Sequence, residues 1–140
     1  MLAHVFALLL AGASSQVTVN ASYEAPPRPG AEGAVVAFFE ARDPAVFVDE
    51  EPAPRLKLAA DQNVLVDRQP PPSKAGQAFD PETAKVIPPG IPVRFPVALA
   101  AGAPHGENSV AASVTYFYCS KRDGWCKKGT AEVLLSVRVP

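Results

Sequence analysis

Two cysteines, Cys119 and Cys126, stand six residues apart with Ser120-Lys121-Arg122-Asp123-Gly124-Trp125 between them. Sulfur carries the most specific chemistry in this chain, because a dithiol closes to a disulfide and reopens by thiolate attack. Tyr116-Phe117-Tyr118 leads into the first cysteine, and the single tryptophan, Trp125, precedes the second. On one side Val110, Ala112, Val114, Tyr116 and Tyr118 alternate with smaller or polar residues. On the other side Ala131, Val133, Leu135, Val137 and Val139 do the same. That period of two belongs to half-buried strands, and the whole stretch reads as a β-hairpin whose arms are tied by a disulfide across the loop. Parity places both cysteines with the more polar residues, near the hairpin end rather than deep in the core.

Two roles are open to such a pair. Closing a loop of about eight residues braces a fold by roughly 2 to 3 kcal/mol in the chain-entropy account. Alternatively the pair cycles between dithiol and disulfide. Lys121, Arg122, Lys127 and Lys128 flank the sulfurs, and nearby cations favour thiolate over thiol, although Asp123 opposes them. The same charges also suit a solvated hairpin tip. Phe117, Tyr118 and Trp125 either shield the sulfurs and offer a docking surface, or pack beneath the hairpin.

Other chemistries lack their residues. A blue-copper centre wants two histidines, a cysteine and usually a methionine, whereas the chain beyond residue 15 has only His105 and no methionine. Structural zinc needs four cysteines, or two cysteines with two histidines, and the chain beyond residue 15 has two cysteines and one histidine. A serine nucleophile needs a histidine base, and His105 sits in the loop Ala103-Pro104-His105-Gly106-Glu107. Asp61, Asp67 and Asp80 fall among turn signals. No glycine-rich phosphate loop follows a strand, so neither a metal nor a cofactor is expected. A formal net charge of −1 leaves no broad basic face for nucleic acid.

The elements that must position the cysteines are short. Residues 1–15 contain the apolar run Val5 to Ala11, then Ala13-Ser14-Ser15, and read as a secretory signal. The domain is then residues 16–140, in an oxidising periplasmic or secreted setting, with no stable membrane insertion once the signal is removed. Val17 to Tyr23 alternates. Ala34 to Glu40 is a continuous apolar run suited to a central strand covered on both faces. Short strands are expected near Val46 to Val48, Leu56 to Leu58 and Val64 to Val66. Residues 68–90 are read as a long surface connection rich in proline, and Val93 to Leu99 as a strand whose Pro96 suits an edge or a bulge. Sixteen prolines argue against long helices. The expectation is an all-β, immunoglobulin-like β-sandwich of about seven strands with a disulfide-tied C-terminal hairpin, a β-barrel being the alternative.

Tyr116-Phe117-Tyr118-Cys119-Ser120, six residues, Cys126 and an alternating strand resemble the C-terminal β-domain of proteins that join a thioredoxin-like domain to NHL repeats. Val48-Asp49-Glu50-Glu51-Pro52-Ala53-Pro54 is loosely similar to an acidic turn upstream in that domain. The layout is also similar to the N-terminal periplasmic domain of the DsbD family, matched at Val114-Thr115-Tyr116, Cys119 and Gly124-Trp125-Cys126. The likeness implies an immunoglobulin-like domain relaying electrons through its two cysteines, with Cys126 attacking a partner and Cys119 resolving. The loop is one residue longer than in the DsbD domain, and Lys127-Lys128 replace an aromatic and prolines. The chain has no C-x-x-C and no transmembrane segment, so a relay needs a thioredoxin-like or membrane electron-conducting protein as partner. The contrasting expectation is a non-enzymatic binding or structural module with a purely structural disulfide.

Overall fold

In the computed structural model the chain is described over residues 16–28, 31–72, 81–82 and 84–140. The expected signal at residues 1–15, Asp80 and the middle of the 68–90 connection lie outside these residues. Eight strands are found, one more than the approximate seven expected, and no helix is found among the described residues. They are β1 (Val17–Glu24), β2 (Gly33–Ala41), β3 (Val46–Val48), β4 (Arg55–Leu58), β5 (Leu65–Asp67), β6 (Val93–Leu99), β7 (Gly106–Ser120) and β8 (Trp125–Val139). The chain is all-β.

The strands form two antiparallel sheets. One runs β1-β2-β6-β5. The other is built on β7, with β8 along one edge and β3 and β4 sharing the other end to end. Main-chain hydrogen bonds show which way β7 points. The Asp49 amide donates to Phe117 O (2.7 Å) and the Ala59 amide to Ala111 O (3.0 Å). Odd-numbered residues of β7 therefore direct their peptide groups toward β3 and β4, and even-numbered ones toward β8.

Alternation then sorts the side chains. Val110, Ala112 and Val114 of β7 and Leu135, Val137 and Val139 of β8 face inward, against Val35 and Ala37 of β2 and Phe95 and Val97 of β6. Leu134, one residue away from Leu135, is 70% exposed, which is what a period of two demands. Each fully buried valine or leucine contributes roughly 1.5 to 3 kcal/mol. The expected run Ala34 to Glu40 is buried on both faces only as far as Ala37; from there Phe38, 43% exposed, and Glu40 turn to solvent. Glu24 and Arg94 form an ion pair from the strands on either side, and the register places that pair over the outer face at Ala34 and Val36. A second cluster fills the hairpin end: Val17, Val46, Val48, Tyr116 and Tyr118, with Phe39 and Trp125 packed against it.

One further expectation needs correction. β6 is an interior strand, not an edge, because β2 and β5 flank it. Pro96 is tolerated because its peptide group points toward β5, whose ladder has ended at Asp67 opposite Val97. The Pro96 carbonyl there accepts from the Arg68 amide (3.0 Å), and the missing donor falls where no strand partner waits. The described parts of the 68–90 connection lie at the surface, as expected, and are anchored at both ends. The Gln69 side chain bonds both main-chain groups of Leu56 (2.9 and 2.8 Å), and Glu50 and Ile87 amides donate to Lys85 and Val48 carbonyls.

Gly129 shows how closely the hairpin is packed. It lies opposite Tyr116, and a Cβ placed on it would meet that buried ring at 2.6 to 2.8 Å. The ring occupies the space a side chain would need. Gly129→Ala is therefore expected to destabilise the fold by about 1 to 3 kcal/mol, the usual cost of overpacking. Urea unfolding checks this as a lowered midpoint at an unchanged slope.

Candidate functional site

The disulfide between Cys119 and Cys126 is present. The two residues are direct register partners on β7 and β8. Because Cys119 turns its peptide group to β3, it meets Cys126 as a non-hydrogen-bonded pair, the arrangement in which antiparallel partners approach most closely. Their Cα atoms are 4.0 Å apart. A four-residue loop closes the hairpin, with Gly124 at φ 71° and its amide donating to Ser120 O (2.9 Å). Such a φ suits glycine, which has no Cβ to clash. The Ser120 hydroxyl accepts from the Asp123 amide (3.1 Å) and donates to the Asp123 carboxylate (3.2 Å).

Parity correctly puts both cysteines on the outer face, away from the inward-facing Tyr116 and Tyr118. Burial differs from a simple exposed tip. Cys119 is 0% exposed, whereas Cys126 is half-buried. The cover comes partly from a residue the sequence reading did not single out: Phe47 of β3 lies opposite Cys119, so Phe47, Cys119 and Cys126 form one row across three strands. Phe117 shares this outer face. Tyr118 and Trp125 do not, because their register and burial put them on the inner side, where their rings meet edge to face at 5.6 Å. As shields of the sulfurs these two are misplaced; they pack beneath the hairpin.

The four cations are divided as well. Lys121 reaches back to place its ammonium 5.6 Å from the Phe47 ring, beside the row of sulfurs. Lys128 is exposed on the same face, opposite Phe117. Lys127 lies over Trp125 on the inner side (4.5 Å). Arg122 is held by two carboxylates, donating to Asp43 (2.6 and 3.3 Å) and to Asp123 (3.2 and 3.3 Å). These bonds keep the Arg122 proton affinity above its ordinary value and hold the Asp43 and Asp123 carboxyls below theirs. Arg122 therefore ties the hairpin loop to the β2–β3 turn, a positioning task that leaves less of its charge for a thiolate.

Next to this row is a buried carboxyl. Asp49 is 0% exposed; the Glu51 amide donates to its Oδ1 (3.0 Å), and Oδ2 has no hydrogen-bond partner among the described residues. Desolvation pushes its pKa up, against the pull of the Glu51, Lys85 and Glu50 amides. The signal was present in the sequence, since Asp49 keeps the parity of Phe47, but nothing local revealed that it would be covered. His105 is exposed, with its ring Nδ1 2.7 Å from the Pro140 carbonyl oxygen. Among the described residues no cluster of three potential metal ligands occurs, and no helix is long and apolar enough to cross a membrane.

Comparison with known proteins returns no match to a family model, to a curated protein or to a solved structure.

The raised proton affinity of Asp49 fixes the sign of a pH effect. The folded chain keeps this proton where the unfolded chain has already lost it, so stability falls as pH rises from about 4 through the raised folded value. Asp43 and Asp123 act in the opposite sense, losing their contribution as pH falls below the ordinary carboxylate range. Asp49→Asn should remove the first slope and leave the second. Urea unfolding of both proteins from about pH 4 to about pH 7.5 reads this as a wild-type stability that declines relative to the variant; parallel curves would contradict it.

Proposed function

We infer that this chain is an immunoglobulin-like β-sandwich acting as a thiol:disulfide exchange module in a periplasmic or secreted compartment, with a thioredoxin-like partner. The observation that carries the reading is the unequal burial of two cysteines bonded across a ladder that is complete without them. Of the fifteen register pairs between β7 and β8, fourteen involve no cysteine. A covalent bond across so short a loop restricts the unfolded chain least. The half-buried Cys126 offers a partner one point of attack, while Cys119 is withheld from solvent.

The chemistry follows from that asymmetry. A partner thiolate attacks Cys126 Sγ, a new intermolecular disulfide forms, the Cys119–Cys126 bond breaks, and its electron pair leaves on Cys119 Sγ. Run in the other direction, the Cys126 thiolate attacks an oxidised partner and Cys119 then displaces it. Lys121 and Lys128 on the same face favour the anionic sulfur. The apolar segment ahead of residue 16 supports delivery to an oxidising compartment.

A second reading, a binding or structural module braced by the same bond, is favoured by the complete burial of Cys119. The two differ in potential. An exchanging pair is expected between about −270 and −120 mV and opens in glutathione buffer, whereas a bracing bond sits below about −300 mV. A direct assay uses a thioredoxin-like protein that has lost its buried cysteine and carries a thionitrobenzoate group on the other. Cys119→Ala should release the coloured thiolate and leave a stable mixed disulfide. Cys126→Ala should be far slower. Equal inertness of both variants would favour the bracing role.

A further inference from the structure

Asp49 is a costly residue to bury, and its place in the fold suggests why it is there. Its amide donates to Phe117 O (2.7 Å) on one side, and on the other Asp49 bridges to Val86. It thus prolongs β3 by one residue, and alternation puts its side chain on the face of Phe47. That is also the face of the disulfide. Since Phe47 pairs with Cys119, Asp49 is the diagonal neighbour of Cys119, a separation of roughly 7 to 8 Å between backbones that side chains can shorten.

Opening the disulfide leaves an electron pair on Cys119 Sγ, and a buried anion without a partner is strongly disfavoured. Solvent does not reach Cys119. Of the nearby cations, Arg122 is engaged by Asp43 and Asp123 and Lys127 lies over Trp125 on the inner side, while Lys121 and Lys128 share the face of the disulfide but are exposed to water, which weakens their hold on a buried sulfur. A proton neutralises that sulfur outright, and the Asp49 carboxyl is on the right face to supply it. We propose that the Asp49 carboxyl stores the proton that Cys119 sulfur takes up when the disulfide opens, and recovers it when the disulfide closes.

This role rests on the exchange reading. In balance, the incoming thiolate bonds to Cys126 Sγ, the sulfur–sulfur bond breaks toward Cys119, and the Asp49 proton converts that thiolate to a thiol, leaving a carboxylate. Closure runs the same steps backward. Desolvation raises the proton affinity of Asp49, the direction this role needs. Several charged groups surround it. Glu50 and Glu51 lie on its own segment, Lys85 on the adjoining strap, Lys128 across Phe117 on β8, and Lys121 over Phe47.

The test uses Cys126→Ser in the full chain, which leaves Cys119 as the sole thiol, with and without Asp49→Asn. The titration of Cys119 is followed by the ¹³Cβ shift, and that of Asp49 by ¹³Cγ. With Asp49 present, Cys119 should lose its proton at a pH about one unit higher or more than in the protein that also carries Asp49→Asn, and the two signals should titrate as a coupled pair. Asp49→Glu should restore part of the shift. Identical Cys119 curves with and without Asp49→Asn would overturn the proposal. Should the double variant fail to fold, ¹³Cγ of Asp49 in oxidised and reduced wild type gives the same answer, moving on reduction if coupled and unmoved if not. The potential of the wild-type pair separates the two ideas. A bracing potential removes the exchange reading and this role together; an exchanging pair whose Cys119 ignores Asp49 removes this role alone.

Discussion

Main-chain pairing between β7 and β8 sets what every other part of this protein can do. Fifteen residues on each strand share one register, so the loop that starts the pairing determines every cross-strand neighbour. Slipping that register by one residue would send Tyr116 and Tyr118 outward and part the cysteines. The loop has several devices against such a slip: Gly124 in the left-handed region, the reciprocal Ser120–Asp123 bonds, and Arg122 reaching across to Asp43. None is individually strong, because the ion pairs are exposed to water and salt. Together they act where the chain reverses, which is where register is decided.

The two faces of the hairpin end carry different burdens. Inward, Phe39, Tyr116, Tyr118 and Trp125 stack successively at 5.4 to 5.7 Å and close the end of the core. Outward, Cys119 and Asp49 are both buried as diagonal neighbours, and Ser120, next to Cys119, is buried with the inward parity of Tyr118. A fold selected for stability alone would have little use for a desolvated carboxyl with a vacant oxygen. The concentration of polar burial beside the disulfide is what separates this end from the opposite end, where the sheets enclose an ordinary aliphatic core.

Much of this was readable from the chain. The period of two in Val110 to Tyr118 and Ala131 to Val139 located the hairpin, its inward face and the outward parity of the cysteines, because side-chain direction in a strand is a local property. The run Ala34 to Glu40 marked a strand, but only its first half, to Ala37, is covered on both faces. Pro96 misled, since proline is awkward only if its nitrogen meets a partner strand, and the length of β5 determines that. Tyr118 and Trp125 misled for a related reason. Proximity in sequence to a cysteine says nothing of face, and both turn away from the disulfide.

By itself the sequence determined that the chain folds as short antiparallel strands, that its cysteines meet at a hairpin end, and which residues of each strand turn inward. These follow from backbone geometry repeated over neighbouring residues. Only the tertiary structure decided that β3 would lie against β7, bringing Phe47 beside Cys119 and Asp49 beneath the 84–87 strap. Burial is a property of what is stacked on a residue from far along the chain, and with it came the unequal exposure of the sulfurs and the raised proton affinity of a carboxyl that looked, in sequence, like part of an acidic turn.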